Sequence, residues 1–414
     1  MKKHTLITGF LRLTLAFVFI FSGFVKAADP WGTSIKLGEY FQAFSLGGLS
    51  GLSDALSVLL STAETTLGLC LLFRIRERAV TLCVTVVLAF FTLLTFILAL
   101  WNPVSDCGCF GDAVKLTNWQ TFYKNIVLLA FALLLGRLLP SEPRRHDRHH
   151  AMVESSMIFF FILFSAGVGI YSLRHLPVID FLPFRTGVNI PSQMAGSAGD
   201  VTTTVVYRDR QTGTEREFAL SDTTWYDTLR WEYVDTRIVE QPTDREPTIL
   251  DFAVFDADGD HTSRLLASSR EVFLVTLTST EDELSPRCRE RLAGAVRYAL
   301  RGGYHVVCAT TSPLPEDGRI DLGGERIPLY NIDGTTLKTL IRARAGLVLL
   351  REGTILGKWN CRDIPHFEPD YAGRTAAEVV AERGAQSETQ WLLGVLAASM
   401  TLIYIAYTAY RRKK

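Results

Sequence analysis

The sequence predicts a membrane α-helical bundle joined to an α/β soluble domain. Three observations carry that expectation. Several apolar runs are long enough to cross a hydrocarbon core of roughly 30 Å. Hydrophobic residues make up 48% of the 414 positions and the mean hydropathy is positive, which is too apolar for an ordinary soluble chain of this length. Charge is also divided: residues 174–389 hold 25 Lys+Arg against 33 Asp+Glu, whereas the rest of the chain holds 18 against 10. An acidic soluble part argues against a nucleic-acid partner.

Six spans are expected, at Thr5 to Val25, Ala55 to Phe73, Ala79 to Trp101, Phe122 to Leu139, Val153 to Leu173 and Trp391 to Tyr410. The first follows Met1-Lys2-Lys3 and reads as a span, because its apolar run exceeds the core of a cleaved signal. Basic residues fall on one side of a six-span arrangement: Lys2 and Lys3, then Arg74, Arg76 and Arg78, then Arg144, Arg145 and Arg148, then Arg411 to Lys414. Basic flanks stay in the cytoplasm, so both termini are expected inside and residues 174–389 outside, in the periplasm of a bacterial inner membrane. The expected divisions are 1–140 for a four-helix module, 141–152 for a cytoplasmic linker and 153–173 for a fifth span. They continue with 174–248 for a periplasmic linker and β-rich segment, 249–389 for the main soluble domain and 390–414 for an anchor. The Arg144 to His150 run reads as a solvated linker, not a metal site.

Between the third and fourth spans lies Asp106-Cys107-Gly108-Cys109-Phe110-Gly111-Asp112, where two of the seven cysteines come close together. Glu64 falls near the middle of the second span, where an ionised group needs a partner. Arg12 comes to a similar depth counted from the cytoplasmic ends, so an Arg12–Glu64 pair is expected. Cys70 and Cys83 read as buried small apolar residues.

In the soluble part, Pro177 to Gly199 reads as a linker. Strand-like runs follow at Val201 to Tyr207, Glu215 to Leu220 and Tyr233 to Val239. Then comes a strand at Ile249 to Phe255 ending in the turn Asp256-Ala257-Asp258-Gly259, a strand at Val272 to Thr278 and a helix at Leu284 to Leu300. A strand at Tyr304 to Thr310, a helix at Leu337 to Arg344 and a hairpin, Leu347 to Leu350 with Ile355 to Trp359, complete a mixed sheet covered by helices. Asp256, Asp258 and Asp260 lack the glycine and the twelfth-position acid of a calcium loop.

The Asp106 to Asp112 loop, with Phe21-Ser22-Gly23-Phe24-Val25-Lys26 closing the first span and Glu64 in the second, resembles the four-helix membrane module of the DoxX and MauE families over roughly residues 1–140. MauE proteins serve the maturation of methylamine dehydrogenase, so the resemblance implies thiol oxidation or protein maturation in the periplasm. Residues 249–365 resemble the thioredoxin-like fold, with Asp251-Phe252 in its opening hairpin and Gly346 to Ile355 in its closing one. No Cys-x-x-Cys follows the first core strand, at Thr278-Ser279-Thr280-Glu281-Asp282, and Ala345 stands at the expected cis-proline. Cys288, Cys308 and Cys361 are left without an assigned pairing.

Cys107 and Cys109 are therefore the expected redox pair, with Asp106, Gly108, Phe110, Gly111 and Asp112 as the supporting loop and Arg12, Glu64 and Lys26 as intramembrane polar groups. Gly108 and Gly111 would permit positive φ and bring the sulfurs together. A disulfide across one residue departs from preferred geometry and should be easily reduced. Asp106 and Asp112 work against a thiolate. Two sulfurs fall short of a structural zinc site, so no metal is expected. A quinone or other electron carrier near the intramembrane charges is the expected cofactor class, and a periplasmic client or redox partner is expected besides the lipid bilayer. The rival is a non-enzymatic scaffold whose soluble domain binds a client.

Overall fold

The computed structural model describes residues 2–104, 106–139, 148–195, 201–210, 212–219, 230–240, 249–280, 284–367, 375–382 and isolated positions between 394 and 404. The helical region comprises α1 (Lys2–Ala28), α2 (Pro30–Ala43), a 3-10 turn (Gly47–Leu52), α3 (Ser53–Phe73), α4 (Glu77–Trp101), α5 (Asn118–Leu138) and α6 (Arg148–Arg174). Five helices are long and apolar enough to cross a membrane, at Leu6–Ala28, Gly47–Phe73, Glu77–Trp101, Asn118–Leu138 and Ala151–Arg174, which makes this a multi-pass region. Most of the expected sixth span, and the basic run from Arg144 to Asp147, lie outside the described residues.

α1 and α3 run antiparallel with their backbones nearly touching. A Cβ on Gly23 would meet the Thr65 amide at 2.5 Å, and one on Gly68 would meet the Ile20 amide at 2.7 Å. Only hydrogen in place of a side chain permits that approach. These contacts set a register in which Ser22 and Lys26 face Glu64, while Arg12 faces Glu77 at 3.4 Å. The expected Arg12–Glu64 pair therefore does not form. Arg12 lies about four helical turns along α1 from Lys26, a separation of roughly 20 Å. Cys70 is buried as expected, but Cys83 is exposed on the outer side of α4.

Two sheets follow α6. The smaller joins β1 (Val201–Asp209), β2 (Glu215–Ala219) and β3 (Trp231–Glu240) in the order β2-β1-β3, all antiparallel. Before it, α7 (Ile190–Met194) forms within the stretch expected to be a linker. Phe184 and Ile190 of that stretch are buried in the core of the larger domain, so much of it is structural.

The larger domain contains β4 (Val254–Asp256), β5 (Gly259–Asp260), α8 (Thr262–Leu266), β6 (Val272–Leu277), α9 (Pro286–Arg301), β7 (His305–Thr310) and β8 (Arg319–Leu322). It continues with β9 (Glu325–Ile332), α10 (Gly334–Leu340), β10 (Ala345–Arg351), β11 (Thr354–Asn360) and α11 (Ala376–Glu382). Strand order is β11-β10-β6-β7-β9-β4-β5, with β8 paired to β9. β6, β7 and β9 are parallel, and β10 and β11 form an antiparallel hairpin at the β6 side. Alternate residues of β6 feed two cores: Phe273, Val275 and Leu277 meet α9, and Val272 and Leu274 meet the α10 side. Covering both faces explains why every residue of that strand is buried.

Three expectations change here. Only Val254 and Phe255 of the run expected at Ile249 to Phe255 are extended and paired, because β9 has partners for these two alone; Ile249 and Phe252 are buried anchors. α10 starts and ends earlier than expected, since Asp333 caps it by accepting from the Thr335 and Thr336 amides and Ile341 turns extended. The β8–β9 hairpin was not foreseen, although Gly323 and Gly324, both at positive φ, are the turn signal for it. Cys288 and Cys361 form a disulfide, and Cys308 is buried in β7.

Candidate functional site

The sequence 102–117 reverses the chain between α4 and α5, and its cysteines are held by their carbonyl groups. Ser22 and Lys26 are one turn apart on α1, hence on one face. The Lys26 ammonium donates at 2.7 Å to each of three acceptors, Glu64 Oε2, Ser22 Oγ and the Cys109 carbonyl. That uses every donor a lysine has. Ser22 Oγ lies 2.8 Å from Glu64 Oε2 and 2.7 Å from the Cys109 carbonyl, and its single proton serves one of them at a time. The Lys26 and Glu64 side chains are only 5% and 8% exposed, so this pair is dehydrated and each ion needs the other.

The second carbonyl is held from α2. The Tyr40 hydroxyl donates to the Cys107 carbonyl at 2.6 Å, and Lys36, one turn earlier, pairs with Asp106 at 2.7 Å. Asp29 caps α2 by accepting from the Gly32 amide. Gly108 and Gly111 both take positive φ, as expected, and the Gly111 amide closes a turn on the Gly108 carbonyl. With the carbonyls held on one side, the two sulfurs face each other at 2.8 Å.

The larger domain reaches this loop. Arg342, just past α10, donates to Asp29 Oδ2 at 3.1 Å through Nε and to Asp112 Oδ2 at 2.6 Å through Nη2. Its side chain is 5% exposed. Burial raises the Asp29 carboxyl above its ordinary range, with the Arg342 charge opposing. Neither flanking carboxylate therefore stands as a bare charge beside the thiols: Asp106 is matched by Lys36 and Asp112 by Arg342. The expected opposition of these two acids to a thiolate is largely cancelled.

The two thiols are unequal. Cys109 is lowered to about 7, first by the hydrogen bond from Cys107, then by Lys124 and Lys26, against the cost of burial. Cys107 moves the other way, raised by donating that bond and by burial. This is the division of labour an attacking and a resolving cysteine need. Labelling of the reduced protein with iodoacetamide should rise through about pH 7 at Cys109 and require more alkaline conditions at Cys107. Mass spectrometry of the labelled loop checks this, and equal labelling of both residues would contradict it.

Beside the sulfurs lies a mostly apolar cavity of about 520 Å³. Its wall includes both cysteines, Glu64 and Lys124, and its lining residues Leu59 and Phe90 are 63% and 62% exposed. The Lys124 ammonium stands 4.1 Å from the Phe110 ring centre. Among the described residues no group of His, Cys, Asp and Glu side chains is arranged to hold a metal.

Residues 4–138 match the family described as methylamine utilisation protein MauE. The match spans α1 to α5 and therefore the Cys107/Cys109 loop, Lys26 and Glu64, and it covers the amino-terminal third of the chain. No curated protein and no solved structure matches the chain. Of the expected site residues, the structure brings Cys107, Cys109, Lys26 and Glu64 into one cluster with Gly108 and Phe110 beside them, and leaves Arg12 apart with Glu77. Thr117 caps α5 through a capping box with Gln120, while the Asn118 amide donates to Asn102 and to the Val104 carbonyl. Tyr40, Lys36, Asp29 and Arg342 were not foreseen.

Proposed function

We propose that this protein is a MauE-like component of thiol–disulfide handling or protein maturation on the periplasmic face of a bacterial inner membrane, with Cys107 and Cys109 as its redox pair. The observation that carries the reading is the pair itself: two sulfurs 2.8 Å apart on a loop whose carbonyls are held by Lys26 and Tyr40. Cys109 is the attacking thiolate and Cys107 the resolving thiol. The match of residues 4–138 to methylamine utilisation protein MauE supports an accessory role in maturing a client protein. In this reading both termini are cytoplasmic, residues 390–414 are an anchor and residues 174–389 are periplasmic. The order β9-β7-β6-β10-β11, three parallel strands ending in an antiparallel hairpin, supports a thioredoxin-like identity for the domain around it.

One observation favours the scaffold reading as the alternative. The larger domain offers no accessible thiol among its described residues, because Cys288 and Cys361 are bonded and Cys308 is 0% exposed. In that case its role is to bind a client, without chemistry of its own. The two are separated by trapping thiols in intact cells with a mass-tagged maleimide before and after a brief reductant pulse. The redox reading expects the Cys107/Cys109 pair to be oxidised, to open in the pulse and to re-form within minutes, and Cys109→Ser to abolish client maturation. A pair that never changes, with Cys109→Ser harmless to the client, transfers the function to the scaffold.

A further inference from the structure

The cavity beside the loop is larger than the redox pair requires, and its composition is informative. Its volume, about 520 Å³, lies within the roughly 300–1,000 Å³ of small-molecule sites. Aromatic rings contribute heavily to its wall, among them Phe19, Phe91 and Phe110. Leu59 of α3 and Phe90 of α4 both line the cavity and are exposed on helices long and apolar enough to span a membrane, so the cavity wall continues onto surface that a bilayer would cover. Whatever enters from that surface is lipid-soluble. The polar groups in its lining include both thiols and the Lys124 ammonium, which has no hydrogen-bond acceptor or carboxylate partner among the described residues. An acyl chain gains nothing from such groups. A flat ring bearing carbonyl oxygens does, by stacking on the aromatic side chains and accepting from Lys124.

We infer that the cavity is a quinone site, taking an isoprenoid-tailed benzoquinone or naphthoquinone as the electron acceptor of the Cys107/Cys109 pair. This rests on the redox reading of that pair. The reaction balances with nothing further. The two thiols give up two protons and two electrons as the Sγ–Sγ bond forms; the quinone takes the electron pair into its ring and one proton on each carbonyl oxygen, leaving as hydroquinone. Lys124 holds the oxygen that becomes negative first. Both cysteines line the cavity that would hold the ring, so no mobile carrier has to shuttle between them. The tail leaves past Leu59 and Phe90, and exchange of hydroquinone for quinone takes place within the membrane.

The test uses the full chain, reduced and then freed of reductant, in nanodiscs of synthetic quinone-free phospholipid. A decyl-tailed benzoquinone is added, hydroquinone is read by absorbance and the loop thiols by mass-tagged alkylation. The expected result is one hydroquinone per chain, loss of both loop thiols and saturation with quinone concentration. Lys124→Leu should raise the half-saturating concentration at least tenfold, and Leu60→Trp, which fills the cavity, should slow quinone-driven closure at least tenfold. Diamide applied to each variant reports separately whether its loop is intact. If the quinone leaves the thiols free while diamide closes them, the quinone site is overturned and the redox pair stands. If neither oxidant closes them, both readings fall. Oxidation that neither saturates nor responds to either substitution places the reaction outside the cavity, which then holds only lipid, and overturns the inference.

Discussion

Lys26→Met is expected to destabilise the helical module by about 3–5 kcal/mol, the cost of leaving one member of a buried ion pair without its partner. Glu64 would keep its carboxylate in a dry seam between α1 and α3, with Ser22 as its remaining donor, so it must take up a proton or force the helices apart. Methionine fills similar space, which isolates the loss of charge from loss of packing. The same change releases the Cys109 carbonyl and removes one of the cations that hold the Cys109 thiol low. Thermal unfolding in detergent and the pH dependence of Cys109 labelling measure the two consequences, and the labelling midpoint should move upward. A Lys26→Met/Glu64→Leu double variant should recover most of the stability, since a buried pair replaced whole by apolar groups is often neutral. It should not recover the acidity. Additive losses in the double variant would show that the pair is not coupled.

Arg342→Leu is the second large effect, again about 3–5 kcal/mol, now acting on the junction between the larger domain and the membrane module. One guanidinium satisfies two carboxylates that come from opposite ends of the loop's surroundings, Asp29 at the start of α2 and Asp112 beyond Gly111. Without it those acids face each other with like charge. The substitution should loosen the domain from the loop, seen as faster labelling of Cys107 and Cys109 by a membrane-impermeant maleimide. The pH dependence has a definite sign. The Asp29 carboxyl is already raised in the native protein, so it holds its proton more tightly docked than free, and the variant should re-dock as pH falls through that raised value and open as pH rises. Unchanged labelling across this range would mean that other contacts, such as Arg344 with Asp54, hold the domain in place.

Much of this architecture is written in short-range patterns. Apolar length fixes five spans, an unbroken apolar run marks β6 as a strand buried on both faces, and the glycines on either side of Cys109 permit the loop's turn. What depends on register between distant elements is not. Matching charges by depth paired Arg12 with Glu64, because counting residues from the membrane edge ignores how far Gly23 and Gly68 let α1 slide along α3. Lys26 is legible as an intramembrane polar group, the fourth residue after Ser22 in the Phe21 to Lys26 motif, but its pairing with Glu64 is not. Arg342 is not legible at all: it is separated from Asp29 by 313 positions, and nothing local distinguishes it from Arg344. Asp106 and Asp112 were misjudged for the same reason, since a carboxylate's influence on a nearby thiol depends on a cation that the neighbouring sequence does not contain.

The larger domain sits against the Cys107/Cys109 loop through Arg342 while keeping its own sulfur out of reach. Cys288 and Cys361 are 3% and 8% exposed and already joined, and Cys308 lies inside the sheet. A disulfide can be exchanged only by a thiolate that can approach it in line, and none of these sulfurs offers that path. If the loop carries electrons as proposed above, the domain is an insulator laid beside a live contact: it can press on the loop through Arg342 without short-circuiting it, and current has to flow to whatever else is brought to the terminal.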